Sequence, residues 1–170
     1  MPPRHRGPAR AEGGQVVNDA EHHVERCVRD TFGLDEVGLR RVAVFLLAHV
    51  LVDTRLIARA MFKEISDRSA GQGLPLTTIQ EIADQVANGT FGTHLGRVSA
   101  GLPGDTGEIA NEMNEARNGL LHWKRDRFSL PVYKGENLTT EEGFRSCMDD
   151  VLRFIQLVPF DLLTGGGAST

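Results

Sequence analysis

The run Val42–Val52, VAVFLLAHVLV, constrains the fold more than any other part of the chain. Apart from His49 it is apolar, and it reaches about half of the roughly 20 residues that a membrane-spanning helix needs. It sits inside a longer helical stretch, about Asp35 to Ser66, which SDRSAGQGLP ends with Gly71, Gly73 and Pro75. A helix apolar nearly all round in its middle has to be enclosed by others, so this one is the central member of a bundle.

The remaining segments supply neighbours for it. Val17, Ala20, Val24, Cys27 and Val28 recur at helical spacing and make a first amphipathic helix. Thr77 or Thr78 caps a helix carrying Ile79, Ile82, Ala83 and Val86, which Asn88-Gly89 stops. Phe91, Leu95, Val98 and Leu102 line one face of a short helix, and Asp105 with Glu108 opens the next in the manner of a capping box. Residues 128–139 read as extended, with a turn at Lys134-Gly135. Thr139 and Glu142 start a last helix that buries Phe144, Met148, Val151, Ile155 and Val158. The expected fold is all-α: a bundle of five to six helices, with a short extended segment before the last one. A single domain spans 15–162, between a Pro/Arg-rich tail at 1–14 and a Gly-rich one at 163–170.

Composition narrows the function classes. A net charge of -4 argues against a molecule built as a whole to bind nucleic acid electrostatically. Two cysteines, Cys27 and Cys147, do not make a disulfide scaffold, and the polar start has no apolar signal region. A cytoplasmic protein with no membrane association is expected.

Residues 115–123, EARNGLLHW, raise the functional question. Measured at about 100° per residue from Ile109, a core stripe of Ile109, Met113, Ala116, Leu120 and Trp123 falls within about 40° of one direction. Asn111, Glu115, Asn118 and His122 fall on the opposite face, which speaks against a core role for His122. Arg117 lies about 140° around from His122 in a straight helix. The two converge only if the helix loosens at Gly119, or if a second copy packs antiparallel across the polar face. Sixteen arginines and six histidines in 170 residues give about 0.6 such Arg-x4-His pairs by chance, and the adjacent asparagine makes the triplet much rarer.

Arg117-Asn118-x3-His122 resembles the Arg-x4–6-His motif of HEPN-domain proteins, in which a polar residue often follows the arginine. The resemblance covers roughly residues 105–160, where the motif sits on a late helix followed by a loop and a final helix. It implies a metal-independent endoribonuclease without a cofactor, acting on RNA as a homodimer, of the kind found in toxin–antitoxin and antiphage systems. Arg117 and His122 would then be catalytic, with Asn118 as a supporting polar group and an antitoxin or other defence-system protein as a partner. Lys124 stands where part of the family has a tyrosine that an antitoxin modifies, so that mode of silencing is not expected here.

The residue chemistry agrees with such a role. An imidazole titrating near pH 6.5 can take the proton of a 2′-hydroxyl or return one to the leaving 5′-oxygen. A guanidinium, always charged, can grip two phosphoryl oxygens. Lys124, Arg125 and Arg127 form a basic strip beside the motif, explained either by phosphate binding or by the helix dipole's preference for C-terminal cations. Glu115, and His49 with Asp53 one turn apart on the central helix, are supporting candidates. The last two more simply satisfy each other inside the bundle. His22, His23 and Cys27 lack a second pair at ligand spacing, so no metal is expected. The rival reading is a non-catalytic helical module whose polar stripe mediates dimerisation or protein contact.

Overall fold

A computed structural model describes residues 22–27, 29–30, 33–69, 71–121 and 130–160. The tails read at 1–14 and 163–170 lie outside the described residues. Residues 22–27 are helical, but Val24 and Cys27 are exposed, so this part of the first amphipathic segment buries nothing against the described fold. The helix α1 (Glu36–Ser69) follows, then α2 (Leu76–Ala87), α3 (Phe91–Val98), a single 3-10 turn (Ser99–Gly101) and α4 (Thr106–Leu121). A two-stranded hairpin of β1 (Val132–Tyr133) and β2 (Glu136–Asn137) precedes α5 (Glu141–Leu157). The architecture is the all-α bundle expected, with its extended segment immediately before the last helix.

At 34 residues, α1 is about 51 Å long and is the element on which the others assemble. It packs against α2, α3, α4 and α5. Its start is set by Asp35, whose side chain accepts from the Gly38 amide at 2.7 Å. Phe45, Val52 and Leu56 are fully buried on its inner side, each worth roughly 1.5–3 kcal/mol as apolar surface removed from water. Among the described residues its outer side is not enclosed, contrary to the sequence expectation. Leu47 is 70% exposed and Val50 60%, with Val44, Leu51 and Phe62 also on the surface. The four helices that pack on it among the described residues leave that side open.

Contacts along α1 fix the directions of its neighbours. His49 stacks on Phe91, and Asp53 meets His94, so α1 and α3 run parallel. Arg41 bonds the Thr139 carbonyl ahead of α5, so α5 also starts near the start of α1. Asp105, just before α4, pairs with Arg153 near the end of α5, which makes those two antiparallel.

Local chemistry differs from the sequence expectation at several helix ends. Pro75, not a threonine, occupies the cap position of α2, and no side chain caps it. Asp105 precedes α4 as expected, but its carboxylate goes to Arg153 at 2.7 Å. Thr140, one residue later than expected, caps α5 by accepting from the Gly143 amide. Thr139 is instead drawn to the Asn137 side chain. The α5 core face is Gly143, Cys147, Val151 and Phe154, continued by Val158, whereas Phe144, Met148 and Ile155, expected to be buried, are half-buried beside it.

The hairpin turn falls at Lys134-Gly135 as expected. Both residues have positive φ, 49° and 83°, the two-residue geometry whose twist matches the paired strands. It delivers Tyr133, fully buried, and Lys134 to Asp150 of α5, where the hydroxyl and the ammonium each donate to Oδ2 at 2.9 Å. Burial alone would raise the Asp150 carboxyl, but these hydrogen bonds together with the charges of Lys134 and Arg153 outweigh it and hold it below the usual carboxylate range.

Candidate functional site

The helix α4 runs unbroken through Gly119 to Leu121, so no loosening at Gly119 brings Arg117 round. Its buried residues are Thr106, Ile109, Ala110, Met113 and Ala116. This face is wider than the expected stripe and is centred toward Ala110. Arg117 therefore stands about 45° from the middle of the buried face, whereas Asn118 stands about 145° away. The two neighbours in sequence look in different directions, and both are half-buried.

The Arg117 guanidinium nevertheless reaches back outward, its Nη1 donating to the Asn118 side-chain oxygen at 3.2 Å. Among the described residues it has no carboxylate partner. On its inner side lies His49 of α1. That imidazole is pushed below its ordinary value, first by burial, then by the Arg117 charge, with Asp53 acting weakly in the other direction. His49 is 7% exposed and stacks on Phe91 with ring centroids 4.4 Å apart. Its Nε2 is shielded from solvent and has no hydrogen-bond partner among the described residues.

The expected pairing of His49 with Asp53 is not formed. Asp53 Oδ1 meets His94 Nδ1 at 2.8 Å, and His94 Nε2 meets the Val86 carbonyl at 2.9 Å. Parallel packing of α1 and α3 sets His94 level with Asp53, and the stacking on Phe91 keeps the His49 ring occupied. Each ring nitrogen of His94 thus has an oxygen within hydrogen-bond reach, one from α1 and one from α2. His94 was missed in the sequence, although a signal was present: it lies three residues after Phe91 on the apolar face of α3, where a polar side chain must find a partner.

On the outer side of α4, Glu115 accepts from Asn111 at 2.9 Å. Glu115 and Gly119 border a groove of about 250 Å³ between α4 and the hairpin, closed on the far side by Leu130, Val132 and Lys134. Among the described residues, a Cβ at Gly119 would meet nothing within 4 Å, so none of them closes this side of the motif. His122, Trp123, Lys124, Arg125 and Arg127 lie outside the described residues. No cluster of three or more His, Cys, Asp or Glu able to hold a metal ion occurs among the described residues, and none of their helices is long and apolar enough to cross a membrane.

Compared with protein families, curated proteins and solved structures, the chain gave no match.

Proposed function

We propose that the chain is a metal-independent endoribonuclease of HEPN type, a toxin or antiphage effector of the cytoplasm that cleaves RNA to a 2′,3′-cyclic phosphate. The observation that carries this reading is Arg117: a half-buried guanidinium in an acidic chain, held by Asn118 and left without a carboxylate among the described residues. Such a cation is available to a phosphoryl oxygen, where preorganised charge acts most strongly on the transition state. Asn118 orients it, and His122 serves as base or acid. Lys124, Arg125 and Arg127 track the RNA backbone. A second copy, packed antiparallel across the outer face of α4, brings Arg117 of one protomer toward the partner's His122 and completes the cleft. His49, kept neutral by burial and by Arg117, holds the guanidinium's inner side free of competing charge. Glu115 stands beside the motif on the outer side of α4, at the border of the groove with the hairpin.

The test incubates the purified chain with end-labelled RNA in EDTA, beside Arg117→Ala and His122→Ala. Cleavage should yield 2′,3′-cyclic phosphate ends, spare DNA, and fall by about 10²–10⁴ in each variant with fold and dimer intact. RNA left intact in every lane would sink the nuclease reading.

A second reading is favoured by the exposed apolar side of α1, with Leu47 and Val50 on the surface. In it the chain is a non-catalytic helical interaction module. The same two substitutions would then change an association constant, and no RNA would be cut.

A further inference from the structure

A groove of about 440 Å³ runs between the first turns of α1 and the first turns of α5. Its floor is apolar: Val37 and Val44 from α1, Phe144 and Met148 from α5. Val37 is 51% exposed and Val44 39%, so α5 only partly covers them. Its rim carries Arg40, Arg41 and Arg145 against Glu141, with Glu36 paired to Arg40 beside it. With Glu36 counted, three arginines face two carboxylates, a small positive surplus in a chain of net charge -4, over an apolar strip that the described residues leave partly uncovered.

We infer that this groove is a docking site for an acidic amphipathic helix of a partner protein. The spacing fits such an occupant. Val37 and Val44 are one i,i+7 repeat apart, about 10.5 Å along the axis, and Phe144 and Met148 are one turn apart on the facing helix. A docking helix presents anchors at this repeat, and its remaining positions meet the rim. The rim is ready to exchange partners. Arg40 bonds Glu36 and Arg145 bonds Glu141, all four side chains being more than 70% exposed, and exposed pairs of this kind contribute little. Arg41 is different: it is 21% exposed, held by the Thr139 carbonyl at 2.7 Å and 3.9 Å from the exposed Glu141 carboxylate, so it is a fixed cation at the end of the groove.

Charge also rules against the nearer occupants. An isologous contact with a second copy would set the same arginines facing one another. The chain's own first fourteen residues carry Arg4, Arg6 and Arg10 against Glu12, the wrong sign for this rim. A nucleic-acid strand would satisfy the arginines but leave a floor of two valines, a phenylalanine and a methionine uncovered. The inference does not depend on the ribonuclease reading, since the groove uses none of the motif residues.

The experiment measures fluorescence anisotropy of two labelled synthetic helices against the full chain. One carries leucine at i, i+3, i+4 and i+7 with glutamate elsewhere; the other has lysine in place of each glutamate. The acidic peptide should bind saturably and the basic one should not. Arg40→Glu combined with Arg145→Glu, at two exposed positions that leave the core untouched, should weaken the acidic peptide at least about tenfold. Val44→Asp should do the same through the floor, with circular dichroism checking that the fold is kept. Equal binding of both peptides, no binding of the acidic one, or full binding to the charge-reversed variant would overturn the inference. So would an oligouridine that displaces the acidic peptide from the wild type, or a dimer in solution that Val44→Asp dissolves.

Discussion

Removing the Asp53 carboxylate tests the internal wiring of the bundle most directly. In Asp53→Ala, the His94 Nδ1–H loses its acceptor at a ring that is only 2% exposed. An unsatisfied buried donor costs about 1–3 kcal/mol, with charged groups at the upper end. The Asp53 side chain is 28% exposed, so water recovers part of that loss, and alanine regains about 0.5 kcal/mol as the better helix former. The net destabilisation should be about 2 kcal/mol. With a urea m-value of about 1–3 kcal/mol/M, the midpoint should drop by about 1 M at pH 7, with the slope unchanged. Asp53→Asn, whose amide oxygen still accepts from Nδ1, should lose about half as much, keeping the bond without its charge assistance. Equilibrium unfolding followed by circular dichroism and by fluorescence gives both numbers. If Asp53→Ala unfolds at the wild-type midpoint, the Asp53–His94 contact contributes nothing and the account of this site fails. If Asn is the worse of the two, the charge argument has the wrong sign.

Two further outcomes are expected. Because burial and Arg117 lower His49, the unfolded chain binds a proton there that the folded chain resists, so stability is complete above about pH 6.5 and falls as the pH drops below it. His49→Phe, which keeps a ring against Phe91, should flatten that fall in melting temperatures taken from pH 8 to 5; an unchanged profile would remove His49 from the explanation. Gly143→Ala places a methyl against the Asn137 carbonyl at the junction of hairpin and α5, and the overpacking should destabilise by about 1–3 kcal/mol in a thermal melt, whereas Gly119→Ala, with open space around it, should not.

Much of this fold was legible in the sequence, because the signals were local. Gly71, Gly73 and Pro75 end α1 to within a few residues, and Ile109, Met113 and Ala116 mark the inner face of α4 by spacing alone. Lys134-Gly135 announces its turn. What stayed hidden depends on which helices lie side by side. Asp53 and His94 are 41 residues apart, and only the parallel run of α1 and α3 joins them; read alone, Asp53 is most simply assigned to His49, one turn away. The inward lean of Arg117 depends on Thr106 and Ala110 being buried, which widens the core face beyond the stripe that apolar side chains mark. The bareness of the outer side of α1 depends on how many neighbours the bundle supplies, a global property that no window of sequence carries.

His94 joins three helices through one side chain: it belongs to α3, holds the carboxylate of α1, and meets the Val86 carbonyl near the end of α2. That third attachment bears on how the molecule opens. The helix α2 is short and buries only Ile82 and Val86, so on packing alone it would be the first unit to detach and expose its amides. With its last turn tied to the same ring that links α1 to α3, it cannot lift away without stripping a buried imidazole of an acceptor. The fold thereby couples a weak periphery to its strongest helix, and the loss of cooperativity, rather than the loss of any one contact, is what a missing His94 would cost it.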